Sequence, residues 1–132
     1  AHWFVSSVLS MEGHELYPGH FGPAITSPTL AWIALWIIIV LEFLAGALAL
    51  KGAWDMWGAR KDSAEAFQQN KRYVMASAGV ALVFWFGLFA AVGGAYFQMW
   101  QTEACTGALQ GSFWYFAGIA LVALYINSED PK

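Results

Sequence analysis

The run Trp36 to Gly52, WIIIVLEFLAGALALKG, contains one acid, Glu42, in a stretch that is otherwise apolar up to Lys51. A carboxyl group inside a spanning helix costs about 2.5–3.5 kcal/mol on insertion scales, so it has to face protein or water and not lipid. Two chemistries suit it. One is a proton relay or a ligand-binding group; the other is a hydrogen bond that joins helices or subunits. A relay needs several polar groups in series, and the apolar runs of this chain hold no second acid, no histidine and no lysine. The joining role is therefore favoured. Ala45 and Gly46 follow Glu42 at i+3 and i+4 and leave a notch beside it, and Trp85 falls at a similar depth in the next apolar run. With Ala49 and Gly87, these residues form the expected intramembrane contact set.

Other candidate chemistry is sparse. His2, His14 and His20 all lie in the first 28 residues, where EGHELYPGH brings Glu12, His14, Glu15 and His20 close in sequence. A metal site wants three or four such ligands at a recognised spacing. That spacing is missing, so no metal site is expected and the histidines are read as ordinary hydrogen-bonding groups. The lack of histidine in the apolar runs argues against an axially ligated haem or chlorin. There is no phosphate loop, dinucleotide fingerprint or zinc-protease helix motif. No catalytic residue, enzyme activity or nucleic-acid partner is expected. The only cofactor-like ligand considered is a lipid or quinone in the notch around Gly46 and Trp85. Cys105 is the single cysteine, which rules out an intrachain disulfide.

The elements that position Glu42 follow from composition. The 132 residues are 59% hydrophobic and only 11% charged, whereas a soluble domain carries about 25% charged residues. Three apolar runs, near 29–50, 73–100 and 108–126, approach or exceed the roughly 20 residues that cross a bilayer as a helix. Strands of a barrel alternate over about 10 residues, and these runs do not. The expected fold is all-α: an integral membrane helical bundle with three transmembrane helices, preceded by an outer segment over residues 1–28. Residues 29–132 then form the transmembrane domain. Pro28 marks the first helix start. That helix is expected to run on through KGAWDMWGARK with a Lys51–Asp55 pair, and Asp62 or Ser63 can cap a short turn after it.

Five of the six basic residues, Lys51, Arg60, Lys61, Lys71 and Arg72, lie between the first and second runs, and Lys132 follows the third. The excess of lysine and arginine predicts that the 51–72 loop and the C-terminus face the cytoplasm of a bacterial inner membrane. Trp32, Trp36, Trp54, Trp57, Trp100 and Trp114 are read as interfacial anchors. Small residues, including Ala45, Ala49 and Ala53, and Gly87 and Ala91, suit close helix approach.

The strings AITSP, LEFLAGALALKGAW and FWFGLFAAVGGAYFQMWQ resemble a bacterial family of predicted small integral membrane proteins, domain of unknown function 2165. The part of the resemblance most specific to the family is Phe84 to Gln101, with the Glu42 helix second. Members of that family typically have four spanning helices, so the resemblance implies a further helix ahead of residue 1, with both chain ends on the cytoplasmic side. It implies no activity and no site residue. The functional expectation is a non-catalytic accessory subunit of a larger energy-transducing complex, respiratory or photosynthetic, whose partners are membrane lipid and the other subunits. The alternatives are a small homo-oligomeric transporter or channel with Glu42 in its pathway, and a lipid- or quinone-binding protein.

Overall fold

A computed structural model describes residues 1–17 and 22–128 of the chain. His20 and Lys132 lie outside the described residues. Among these residues every regular element is helical. The elements are α1 (His2–Leu9), α2 (Pro28–Ala59), α3 (Ala64–Asn70), α4 (Arg72–Leu82) and α5 (Glu103–Asn127). Between α4 and α5 the chain continues as a wider-wound π segment (Val83–Tyr96) and a short 3-10 turn (Met99–Gln101). Among the described residues, three stretches are long and apolar enough to span a membrane: Pro28–Ala59, Ala64–Tyr96 and Glu103–Asn127.

Local chemistry sets the boundaries. α2 opens on Pro28, whose missing N–H and fixed φ suit the first helical position. Ser27 caps it, its Oγ accepting from Leu30 N at 3.5 Å. The helix runs past the predicted apolar stretch to Ala59, and Lys51 Nζ meets the Asp55 carboxylate at 2.7 Å on the exposed extension. Ser63 caps α3 by accepting from Ala66 N at 3.3 Å. The second span stops earlier than its hydropathy suggests. Gln98 adopts a left-handed conformation with φ of 52°, a region that helices do not continue through. α5 starts earlier than its apolar run, because Thr102 accepts from Cys105 N at 3.4 Å and begins the helix in a polar stretch.

The three spans pack as a bundle with one tight seam. Gly52 of α2 lies against the α4 backbone: a Cβ there would stand 2.6 Å from Val74 N, so only glycine permits the approach. Higher on the same seam, Ser77 Oγ donates to Ala45 O at 2.8 Å. A buried hydroxyl bonded across helices satisfies itself where lipid supplies no partner. On the other side the π segment faces α5, where Trp85 stacks on Tyr115 with centroids 4.7 Å apart.

The two ends of the bundle differ in character. Lys51, Arg60, Lys61, Lys71 and Arg72 gather at one end, where Lys71 Nζ donates to Ser128 O at 3.1 Å and ties the end of α5 to the start of α4. Arg60 lies over the Trp57 ring at 4.4 Å, and Lys51 over Tyr73 at 4.6 Å. At the opposite end, α1 and the following residues form a small cap. Val8, Met11, Phe97, Met99 and Cys105 make its buried core. Gln101 grips the Leu16 backbone at both groups: Leu16 N donates to Oε1 at 2.8 Å, and Nε2 donates to Leu16 O. The buried Gln98 side chain donates to Tyr17 O at 2.9 Å.

Candidate functional site

Glu42 stands within two residues of the midpoint of α2, ~21 Å along the helix from Pro28 at 1.5 Å per residue. Its side chain is exposed. Helix periodicity explains this placement. The face of α2 that meets α4 carries Ala45, Leu48, Gly52 and Ala59, at helical spacing and each at least partly buried. Glu42, Gly46, Ala49 and Ala53 recur at i, i+4, i+7 and i+11, which puts them on a neighbouring stripe. All four are exposed. A Cβ added at Gly46 would meet nothing within 4 Å.

Among the described residues, the same side of α2 is occupied only near its start. α1 packs against the first turns, where His2 stacks on Trp32 with centroids 4.2 Å apart and where Ala31 and Leu35 are buried. Below that level the stripe from Glu42 to Ala53 is bare. Two large apolar side chains, Phe43 and Leu50, flank it and are 78% and 75% exposed. The arrangement can do one thing chemically without help: present a carboxyl group, over a shallow small-residue floor, to whatever lies beside the helix.

The expected contact residues separate into two groups. Ala45 sits on the α2–α4 seam through its carbonyl, bonded to Ser77. Glu42, Gly46 and Ala49 face outward. Trp85 is turned toward Tyr115, and Phe84 and Phe89 complete an aromatic cluster around it at centroid distances of 4.5 and 5.3 Å. Gly87 is half-buried in the π segment. Sequence reasoning missed Gly52 and Ser77, the residues that join α2 to α4. The signal was present: Ser77 interrupts an apolar run, and Gly52 continues the helical spacing Ala45–Leu48–Gly52.

Of the anchors, Trp32, Trp36, Trp54, Trp57, Trp100 and Trp114 are all exposed. Trp114 departs from the expected position. Because α5 begins at Glu103 instead of near Ala108, Trp114 falls beside the midpoint of the 25-residue helix and not at its end. Among the described residues no three His, Cys, Asp or Glu groups come together as metal ligands. Glu12 accepts from Ser7 Oγ at 3.1 Å. His14 is partly buried, its Nδ1 has no partner, and burial lowers its pKa below the usual histidine value.

A second concave feature lies near the glutamine end. It is an open-sided cleft of about 160 Å³ between α1, α2 and the π segment, lined by apolar side chains throughout.

The sequence of the family described as predicted small integral membrane protein (DUF2165) matches residues 1–129. The chain belongs to that family. No curated protein and no solved structure matches it. DUF2165 membership agrees with a membrane-spanning chain and supplies no chemistry, so the reading of Glu42 rests on its own surroundings.

Proposed function

We propose that this DUF2165 protein is a non-catalytic accessory subunit that packs against the membrane part of a larger, energy-transducing complex in a bacterial inner membrane. The observation behind this reading is the bare Glu42 stripe. A carboxyl facing hydrocarbon is costly, and a carboxyl facing a partner helix can bond to a donor there. The small residues below it let the partner backbone approach closely enough to make that bond. Three helices, with the second span packed between α2 and α5, also leave much apolar surface for other subunits. In this reading the basic end faces the cytoplasm, in line with the distribution of lysine and arginine.

Placing Glu42 in a transport pathway of a homo-oligomer would require further polar groups along the route. Among the described residues the two buried serines of the spans are occupied: Ser77 bonds Ala45 O, and Ser112 Oγ donates to Leu109 O at 2.6 Å. The test is purification of a tagged chain in mild detergent with mass spectrometry of what accompanies it. The proposal expects a larger complex at fixed stoichiometry, held about fivefold more weakly in Glu42→Leu. A homo-oligomer that conducts protons or solute in liposomes, and stops doing so in Glu42→Gln, would overturn it.

A further inference from the structure

We propose that the cleft between α1, α2 and the π segment is a binding site for one acyl chain of a phospholipid. The cleft's volume is about 160 Å³. Its floor is built from Val5 and Val8 of α1, both buried, and its walls include Ala34 of α2 and Leu88 of the π segment. Ile37 and Val92 stand at the rim and are 50% and 43% exposed, so the open side faces the surroundings of the spanning helices.

Three physical points identify the occupant. First, water is a poor occupant, because a held water needs two to four polar partners and the described residues of the lining offer no polar side chain. Second, the α2 wall of the cleft belongs to a helix long and apolar enough to span a membrane. Ala34 and Ile37 are ~9 and ~14 Å along α2 from Pro28, so the medium at the open side is hydrocarbon, and the aliphatic chain is the species present there at high concentration. Third, the lining separates a phospholipid from a quinone. A quinone head carries carbonyl groups that need donors when buried, and among the described residues no side-chain donor lines this cleft. A phospholipid leaves its polar head at the water interface and inserts carbon only. This site is separate from the Glu42 stripe and stands whether or not the accessory reading holds.

The experiment uses the whole chain, stripped of loosely held lipid by extended detergent washing and then titrated with dioleoyl phosphatidylcholine under native mass spectrometry. Wild type is expected to hold one phospholipid per chain. Ala34→Phe and Leu88→Trp, which fill the cleft, are expected to weaken retention about tenfold, equivalent to about 1.4 kcal/mol. Leu121→Phe, on an exposed face of α5, is expected to leave it unchanged. Equal retention in all four proteins, retention of ubiquinone in place of phospholipid, or no retained phospholipid in wild type would overturn the proposal. If the filling variants fail to fold, wild type alone decides it. A nitroxide placed mid-chain on the phospholipid is expected to broaden the buried Val5 and Val8 methyl resonances as strongly as those of exposed Leu121. Protected Val5 and Val8 methyls would contradict the site.

Discussion

Glu42, Gly52 and Ser77 differ in what they do, although all three sit in the same helix pair. Gly52 and Ser77 hold the chain to itself. Replacing Ser77 by alanine removes one interhelical hydrogen bond and leaves the Ala45 carbonyl with its intrahelical partner alone. The expected loss is about 0.6 kcal/mol, the average for such bonds in a membrane, read from unfolding in mixed micelles. Gly52→Leu is expected to be worse, by about 1–3 kcal/mol or more, because the side chain must displace the Val74 backbone and not merely a flexible tip. Glu42 makes no comparable contribution within the chain. Glu42→Leu should therefore leave the stability of the isolated protein unchanged or raise it, while weakening association with a partner by about 1 kcal/mol, roughly fivefold. Glu42→Gln keeps an acceptor at the same place and should retain most of that association. A destabilised isolated Glu42→Leu protein would show that the carboxyl serves the fold.

The elements show where apolarity is a good guide and where it fails. Long runs of leucine, isoleucine and alanine in a chain this poor in charge fix three spanning helices, because lipid leaves a backbone no alternative partner. Their ends are set by other forces. α5 begins at a threonine cap, ahead of its apolar run, and the second span ends at the left-handed Gln98, inside its own. Both features depend on hydrogen bonds made at the turn, which hydropathy does not register. The Gln101–Leu16 clasp was equally hidden, since its two partners are 85 residues apart. Gln101→Ala is expected to free residues 11–17 and raise their amide exchange about tenfold, with little change in α4 or α5. Acid should act on the same segment. Burial lowers the pKa of His14 in the folded state, so the released segment binds a proton more readily. Stability of the cap then falls as pH drops through the ordinary histidine value of about 6.5. Exchange at residues 11–17, corrected for intrinsic rates, should quicken below that pH in wild type and lose its pH dependence in His14→Gln.

The molecule as a whole has a basic end, a glutamine-clasped end, and between them one side of α2 left uncovered around a carboxyl. The distribution of basic residues predicts that a cysteine placed at Lys61, in a Cys105→Ser background, reacts with a membrane-impermeant maleimide only after the inner membrane is opened. Labelling in intact spheroplasts would reverse the orientation. The position of Glu42 at mid-span was readable from the sequence; its outward orientation was not, because it depends on which of two adjacent stripes meets α4, and Gly52 and Ser77 decide that. The most direct measurement of the docking account is photo-crosslinking in the native membrane, with a diazirine side chain placed at Ala49 on the bare stripe. The account predicts a cross-link to a spanning helix of a different, larger protein, reduced in Glu42→Leu. Cross-links only to lipid, or only to a second copy of this chain, would contradict it.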